Sequence, residues 1–333
     1  MPSRLVVCAE LVDPRGGLGE QCIVIQGERI EGFREEPPGA ERVIDLRGQD
    51  YIVLPGFVDI HVHLRGLGQG YKEDEYTGSR AAAAGGIVLV ADMPNTVPRL
   101  DNAEALAAKL QALREKSLVD YMVYAAVPPS PDEVEKLASI PGVAGFKIYP
   151  RDLEQRAQSV DKVLSSSHLV VVHPELPEAE KPVVENEDTR RALRGCHWET
   201  AAIEYLAELS PSARIHITHA TCPGTVQAAR RHGFTVDTTP TYLFLEPVNN
   251  CLHRVNPPIR GLAEKQQMLQ LLLGGEITLV ASDHAPHSPR EKTGDPLLCP
   301  PGVPWLEHWP GILYCLVSRG ALSIENYLEL VAL

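Results

Sequence analysis

The sequence contains no long apolar run, and no block of more than two consecutive basic residues, the pairs being Arg190-Arg191 and Arg230-Arg231. The first absence excludes a membrane-spanning helix, which needs about 20 apolar residues. The N-terminus also lacks the apolar core of a signal peptide. The second absence argues against nucleic acid as a partner, because phosphate binding draws on clustered Lys and Arg; a formal net charge of −13 points the same way. Seven cysteines are present (Cys8, Cys22, Cys196, Cys222, Cys251, Cys299, Cys315) but no Cys-x-x-Cys pair. Their odd number and scattered spacing argue against a zinc ribbon or a disulfide framework, so buried free thiols are expected. No segment repeats. What these absences leave is a soluble, cytoplasmic protein.

What is present is apolar content of 44% over 333 residues, enough for one large domain or a large domain with a small satellite. Residues 1–54 carry short β-type runs near 5–7, 22–25, 30–33, 43–46 and 51–54, broken by Gly and Pro, and read as a small β-sandwich-like module. From residue 55 to 333, strand-like and helix-like segments alternate. Strands are expected near 57–63, 86–92, 119–127, 142–148, 168–173, 213–219, 233–239 and 276–282. Helices are expected near 72–84, 102–116, 131–139, 152–165, 197–209, 223–232, 262–273 and 310–319. This is the pattern of a (β/α)8 TIM barrel, class α/β. Two long polar or Pro-rich stretches, 174–196 and 284–309, would lie over the end of such a barrel that carries the site, as lids.

Chemistry-bearing residues gather at the ends of the apolar runs. Residues 55–65 read Pro-Gly-Phe-Val-Asp-Ile-His61-Val-His63-Leu-Arg65. In an extended strand alternate side chains share a face, so His61, His63 and Arg65 are expected to project together. Two imidazoles can then hold a metal ion, with a guanidinium beyond them for a substrate anion. Further runs close on Lys147 (Gly-Phe-Lys-Ile-Tyr), His173 (Val-Val-His-Pro-Glu), His219 (His-Ile-Thr-His-Ala) and Asp283 (Ser-Asp-His-Ala-Pro-His). Continuous Val, Ile and Leu runs mark strands of a parallel sheet covered on both faces. Ligand-type residues at their exits suit a parallel barrel with its site at one end.

With these motifs in this order, and with Met93-Pro94-Asn95-Thr96 between the first two, the chain resembles dihydroorotases of the amidohydrolase superfamily from about residue 53 to its end. The segment Gly68-Gln69-Gly70-Tyr71-Lys72-Glu73-Asp74 is similar to the continuation of that family's first-strand signature. The resemblance implies two Zn2+ ions, one on His61 and His63, the other on His173 and His219, bridged by a carboxylated Lys147. Asp283 would bind the first ion and act as proton carrier. Arg65, Asn95 and His287 would grip the substrate carboxylate, and Asn256 would contact the pyrimidine ring. The implied reaction is the reversible cyclisation of N-carbamoyl-L-aspartate to L-dihydroorotate in pyrimidine biosynthesis, driven by a metal-bridged hydroxide. Imidazole and carboxylate are good zinc ligands, and conversion of a cationic lysine to a carbamate makes it an oxygen donor able to span two ions. The sequence alone leaves the metal open among zinc, cobalt and manganese.

The sequence departs from that pattern in three places. The chain stops at Leu333, without the C-terminal strands that relatives return to the N-terminal module. Trp305 stands where glycine is usual in a substrate loop and would reshape or narrow the pocket, unless it points outward. Asp92 before Met93-Pro94 is reminiscent of allantoinases, whereas Arg65 and Asn95-Thr96 favour dihydroorotase. Two alternatives remain: an allantoinase- or hydantoinase-type cyclic amide hydrolase, and an inactive dihydroorotase-like scaffold with aspartate transcarbamoylase as its partner. A homodimer is expected from the prevalence of that assembly and from unpaired N-terminal strand edges. His216 is expected in packing or behind the ligands, and His168, His197, His232, His253 and His308 in structural roles.

Overall fold

Short β-branched runs at the N-terminus and alternating strand and helix segments beyond them give two units in the computed structural model, which describes residues 4–13, 17–182 and 184–332. One unit comprises Met1–Gly56 with Ser323–Leu333, the other Phe57–Leu322.

In the first unit, β1 (Arg4–Asp13) pairs antiparallel with β2 (Gly17–Gln26), and β2 pairs antiparallel with β3 (Arg29–Arg34). β4 (Arg42–Asp45) and β5 (Ile52–Val53) run parallel to β1. Alternation puts Val6 and Cys8 of β1 on one face with Cys22 and Val24 of β2, and Ala40 packs against them. The turn from β2 to β3 passes through Gly27 at φ 59°, a conformation that glycine adopts without strain.

In the second unit, eight strands follow one another around a sheet in sequence order: β6 (Phe57–Val62), β7 (Ile87–Asp92), β8 (Asp120–Ala126), β9 (Val143–Ile148), β10 (Val170–Val172), β11 (Ile215–Ile217), β12 (Thr235–Thr238) and β13 (Leu279–Val280). Every neighbouring pair is parallel. The barrel is nearly closed: Val62 bridges His284, just past β13, and His63 N–H donates to the His284 carbonyl at 2.7 Å. Ala91, Met93, Tyr124 and Val171 form part of its core with Ile60, Ala144 and Leu169. Gly145 lies so close to the Leu169 carbonyl that a Cβ there would approach within 2.3 Å, so only glycine lets β9 and β10 meet at this point.

The helices are α1 (Glu75–Ala84), α2 (Ala103–Lys116), α3 (Val134–Ala138), α4 (Pro150–Gln155), α5 (Ala157–Leu164), α6 (Glu187–Leu193), α7 (Cys196–Leu209), α8 (Pro223–Arg231), α9 (Pro240–Phe244), α10 (Leu262–Leu273), α11 (Trp309–Ser318) and, in the first unit, α12 (Ile324–Val331). None of the described helices is long and apolar enough to cross a membrane. Asn102 caps α2 by accepting from Ala105 N–H at 3.0 Å. The single helix expected over 152–165 is two: Arg156 leaves helical geometry at φ −136° and ψ 34°, where its guanidinium reaches Asp101 at 2.8 Å. The 174–196 stretch, expected as a loop, contains α6, capped by Asn186 accepting from Thr189 N–H at 2.8 Å.

The expectation of free thiols is corrected. Cys8–Cys22, Cys196–Cys222 and Cys251–Cys299 are disulfides, and Cys315 is a free, exposed thiol. Cys8 and Cys22 face each other in the β1–β2 register, while the other pairs join segments 26 and 48 residues apart. Those separations follow from the fold and leave no spacing signature in the chain.

Candidate active site

All the candidate residues named from the sequence line one cavity of about 440 Å³ in the second unit. His61 lies on β6 and Lys147 on β9, while His173, His219 and Asp283 follow β10, β11 and β13. Each therefore reaches the same end of the barrel from a strand exit. His61 Nε2 and His63 Nε2 converge on Asp283 Oδ1, at 3.3 and 3.2 Å. The ligand atoms of these three residues all lie within 4.8 Å of one another. The His173 and His219 rings are 4.5 Å apart, and His219 is 5.2 Å from His61.

Arg65 reaches the cavity differently from the strand alternation expected of it. β6 ends at Val62, and Arg65 stands in the left-handed region at φ 55°. Lys109 Nζ holds its carbonyl at 3.0 Å. The same ammonium meets Glu75 at 2.9 Å and Asp92 at 2.8 Å, all three side chains being fully buried. Asp92 in turn accepts from Leu64 N–H at 2.9 Å. Asp92 thus anchors the turn that presents Arg65. His219 and Asp283 are also left-handed, at φ 42° and 49°, so three cavity residues sit in backbone conformations that cost non-glycine residues energy.

Around Arg65 the anion-binding residues assemble. Its Nε donates to the Pro286 carbonyl at 3.1 Å and Nη2 lies 3.2 Å from His287 Nε2. Lys72 Nζ donates to His287 Nδ1 at 3.0 Å. Asn95 Oδ1 lies 2.6 Å from His63 Nδ1, joining a candidate substrate residue to a candidate ligand. Asn256 Oδ1 accepts from Arg190 of α6, which ties the 174–196 stretch to the cavity wall. Trp305 does not line the cavity: it is buried, its indole N–H donating to Thr241 Oγ1 at 2.7 Å and its backbone N–H to His284 Nδ1 at 3.0 Å.

The electrostatics favour lone pairs over protons. Burial, with Lys147 and the neighbouring imidazoles, holds His61 well below the usual histidine range; burial, with His173 and Lys147, does the same to His219. Burial pulls the Lys147 amine down to about 7 against the pull of Asp237 and Asp283, and its Nζ donates to Thr218 Oγ1 at 2.8 Å. His61 Nδ1 and His219 Nδ1 are buried without a partner among the described residues. A cluster of imidazoles and one carboxylate, with orphaned nitrogens on His61 and His219 and a neutralisable lysine, fits a divalent metal site with N and O donors.

Several contributors are not singled out by the sequence as site residues, although Asp59, Tyr149 and Glu175 lie inside the motifs quoted above. Asp59 accepts from the backbone N–H groups of His61 and Ser282, at 3.1 and 3.2 Å, pinning β6 to the segment before Asp283. Asp237 accepts from His219 N–H at 2.5 Å and meets His216 Nε2 at 2.8 Å, which places His216 behind the ligands. Glu175 pairs with His173, and Arg99, Tyr149 and Arg151 add to the cavity wall. Periodicity of two would flag Asp59 and Glu175 as sharing a face with His61 and His173; nothing local flags Asp237.

A family described as Dihydro-orotase-like matches residues 50–162. A dihydroorotase of Aeropyrum pernix is 46% identical over 95% of this chain and 76% of that protein. The chain belongs to the dihydroorotase family. Another dihydroorotase, from Saccharolobus solfataricus, is 39% identical over 84% of this chain and 68% of that protein. Among solved structures, the L-hydantoinase (dihydropyrimidinase) from Arthrobacter aurescens superposes with a TM-score of 0.85, covering 99% of this chain and 80% of that one at 23% identity. That likeness shows the shared barrel fold. As a dihydroorotase-family member with this fold, the chain is a cyclic amide hydrolase acting on a small molecule.

Proposed function

We propose that this protein is a dihydroorotase that interconverts N-carbamoyl-L-aspartate and L-dihydroorotate, with one water released on cyclisation, in de novo pyrimidine biosynthesis. The observation that carries this reading is the convergence of His61, His63 and Asp283 beside the Arg65–His287 pair in one cavity. A ligand cluster next to a fixed cation suits a cyclic amide that also bears a carboxylate. Hydantoin-type substrates carry no such carboxylate and leave Arg65 without a purpose.

His61, His63 and Asp283 would hold one Zn2+, His173 and His219 a second, and a carboxylated Lys147 would be shared between them. The unprotonated Lys147 amine adds to carbon dioxide, forming an N–C bond and releasing one proton; its depressed pKa leaves a large amine fraction at neutral pH. When bound, the two ions supply Lewis acidity to the amide carbonyl and acidify the attacking water. In ring opening a C–O bond forms at that carbonyl as its C–N bond breaks. Asp283 takes the proton of the water and passes it to the leaving nitrogen; cyclisation runs the same transfers in reverse. Arg65, His287 and Asn95 bind the carboxylate through charge-assisted hydrogen bonds, and Asn256 faces the ring.

The test pairs metal analysis with hydrolysis of L-dihydroorotate at mildly alkaline pH. About two metals per chain with turnover, both lost in Lys147→Ala, is the expected result. A carboxylate-free cyclic ureide turned over faster than dihydroorotate would replace this reading with a hydantoinase or allantoinase. A folded protein with neither metal nor turnover would leave a scaffold role.

A further inference from the structure

We propose that Glu175 and Arg194 are positioning residues that fix the His173 imidazole for one of the two metal positions. The inference rests on the binuclear reading above and concerns residues outside the ligand set.

His173 Nε2 lies 2.6 Å from Glu175 Oε2. A carboxylate only accepts, so Nε2 carries the proton and Nδ1 is the remaining lone pair of that ring. Arg194 grips the same carboxylate with two bonds, Nε to Oε1 at 2.7 Å and Nη2 to Oε2 at 2.6 Å. Glu175 is fully buried, and Arg194 is 7% exposed. A buried ion pair contributes little net stability over an apolar pair of similar volume, because desolvation offsets the attraction. Fold stability alone therefore gives no reason for this pair, whereas the imidazole it holds does. A carboxylate behind a metal-binding histidine fixes its tautomer and orientation and raises its basicity.

Among the four candidate ligand histidines the arrangement is particular to His173. His61 Nδ1 and His219 Nδ1 have no partner among the described residues, and His63 Nδ1 meets only the neutral Asn95 amide. The pair also stands at the two ends of the 174–196 stretch, so it closes that excursion directly behind the ligand. Its far end is fastened in turn: Arg260 Nη1 donates to the Arg194 carbonyl at 2.7 Å, and its Nη2 pairs with Glu199 at 2.8 Å. The orientation of His173 is therefore set by a chain of buried charge that reaches the start of α7.

Removal of the carboxylate should weaken the position served by His173 and His219 and spare the one served by His61, His63 and Asp283. The experiment is a cobalt(II) titration of chelator-treated full-length protein in bicarbonate buffer, followed by visible absorption and bound-metal analysis. Wild-type protein is expected to take up two ions. Glu175→Gln and Arg194→Lys are expected to take up the first normally and the second 10–100-fold more weakly. Thermal unfolding of the metal-free proteins checks that the near-isosteric Glu175→Gln variant is folded. If folded Glu175→Gln binds both ions as tightly as wild type, the proposal is overturned while the binuclear reading stands. If wild type itself takes up fewer than two ions, the binuclear reading falls, and the proposal falls with it.

Discussion

Arg65 donates to the Pro286 carbonyl and lies 3.2 Å from His287, a candidate substrate residue, so its guanidinium is held at the edge of the cavity. Its replacement should therefore act on binding. Arg65→Met is expected to raise KM for L-dihydroorotate roughly 10–100-fold, since a hydrogen bond to a charged group contributes about 1.5–3 kcal/mol; kcat should fall less, as steady-state kinetics will show. Asp283→Asn should do the opposite, lowering kcat about 10²–10⁴-fold with little change in KM. Lys147 gives a pH signature in metal-free protein. Its folded pKa of about 7 lies below the ordinary lysine value of 10.5, so between those values the unfolded chain binds more protons. Stability then rises as pH rises from 7 to 10.5 and is lost as pH falls through that window. Thermal unfolding of chelated protein in carbon-dioxide-free buffer should show that rise, and Lys147→Met should flatten it.

At the scale of elements, the turn after β6 depends on α1 and α2. Lys109 of α2 and Glu75 of α1 hold Asp92 and the Arg65 carbonyl in a fully buried network. Lys109→Met strands two buried carboxylates and is expected to cost about 3–5 kcal/mol in urea unfolding. Gly66, at φ 61°, packs so closely that a Cβ would come within 1.9 Å of Glu75 Oε1. Gly66→Ala should therefore destabilise the barrel and raise KM together, where a mutation remote from Arg65 would change stability alone. The strands of this barrel could be read from the chain because parallel strands buried on both faces are continuous apolar runs, and because His173, His219 and Asp283 each close such a run. Arg65 was placed in the right cavity for the wrong reason, since alternation along a strand says nothing of a left-handed turn. α6 was hidden inside a polar stretch that lacks an apolar stripe. Glu175 and Arg194 meet across 19 residues, a separation with no periodic trace. The direction of Trp305 is decided by Thr241 and His284, which no local pattern connects to it.

Across the whole molecule, the three disulfides close spans of 14, 26 and 48 residues. In the chain-entropy account the shortest contributes about 3 kcal/mol and the longest about 4 kcal/mol. Reductant should lower the melting temperature, and a Cys251→Ser, Cys299→Ser double variant should lower it more than Cys8→Ser, Cys22→Ser; calorimetry with and without a dithiol checks the order. The left-handed backbone at Arg65, His219 and Asp283 has a different reach. Glycine would relax each of these positions, at roughly 1–3 kcal/mol apiece, and would bring no guanidinium, imidazole or carboxylate. Comfort of the main chain and chemistry of the side chain exclude one another at three points of one cavity. A laboratory library screened only for heat resistance will therefore erode the site before it touches the barrel, and a descendant carrying glycine at 65, 219 or 283 will have kept its architecture and abandoned its reaction.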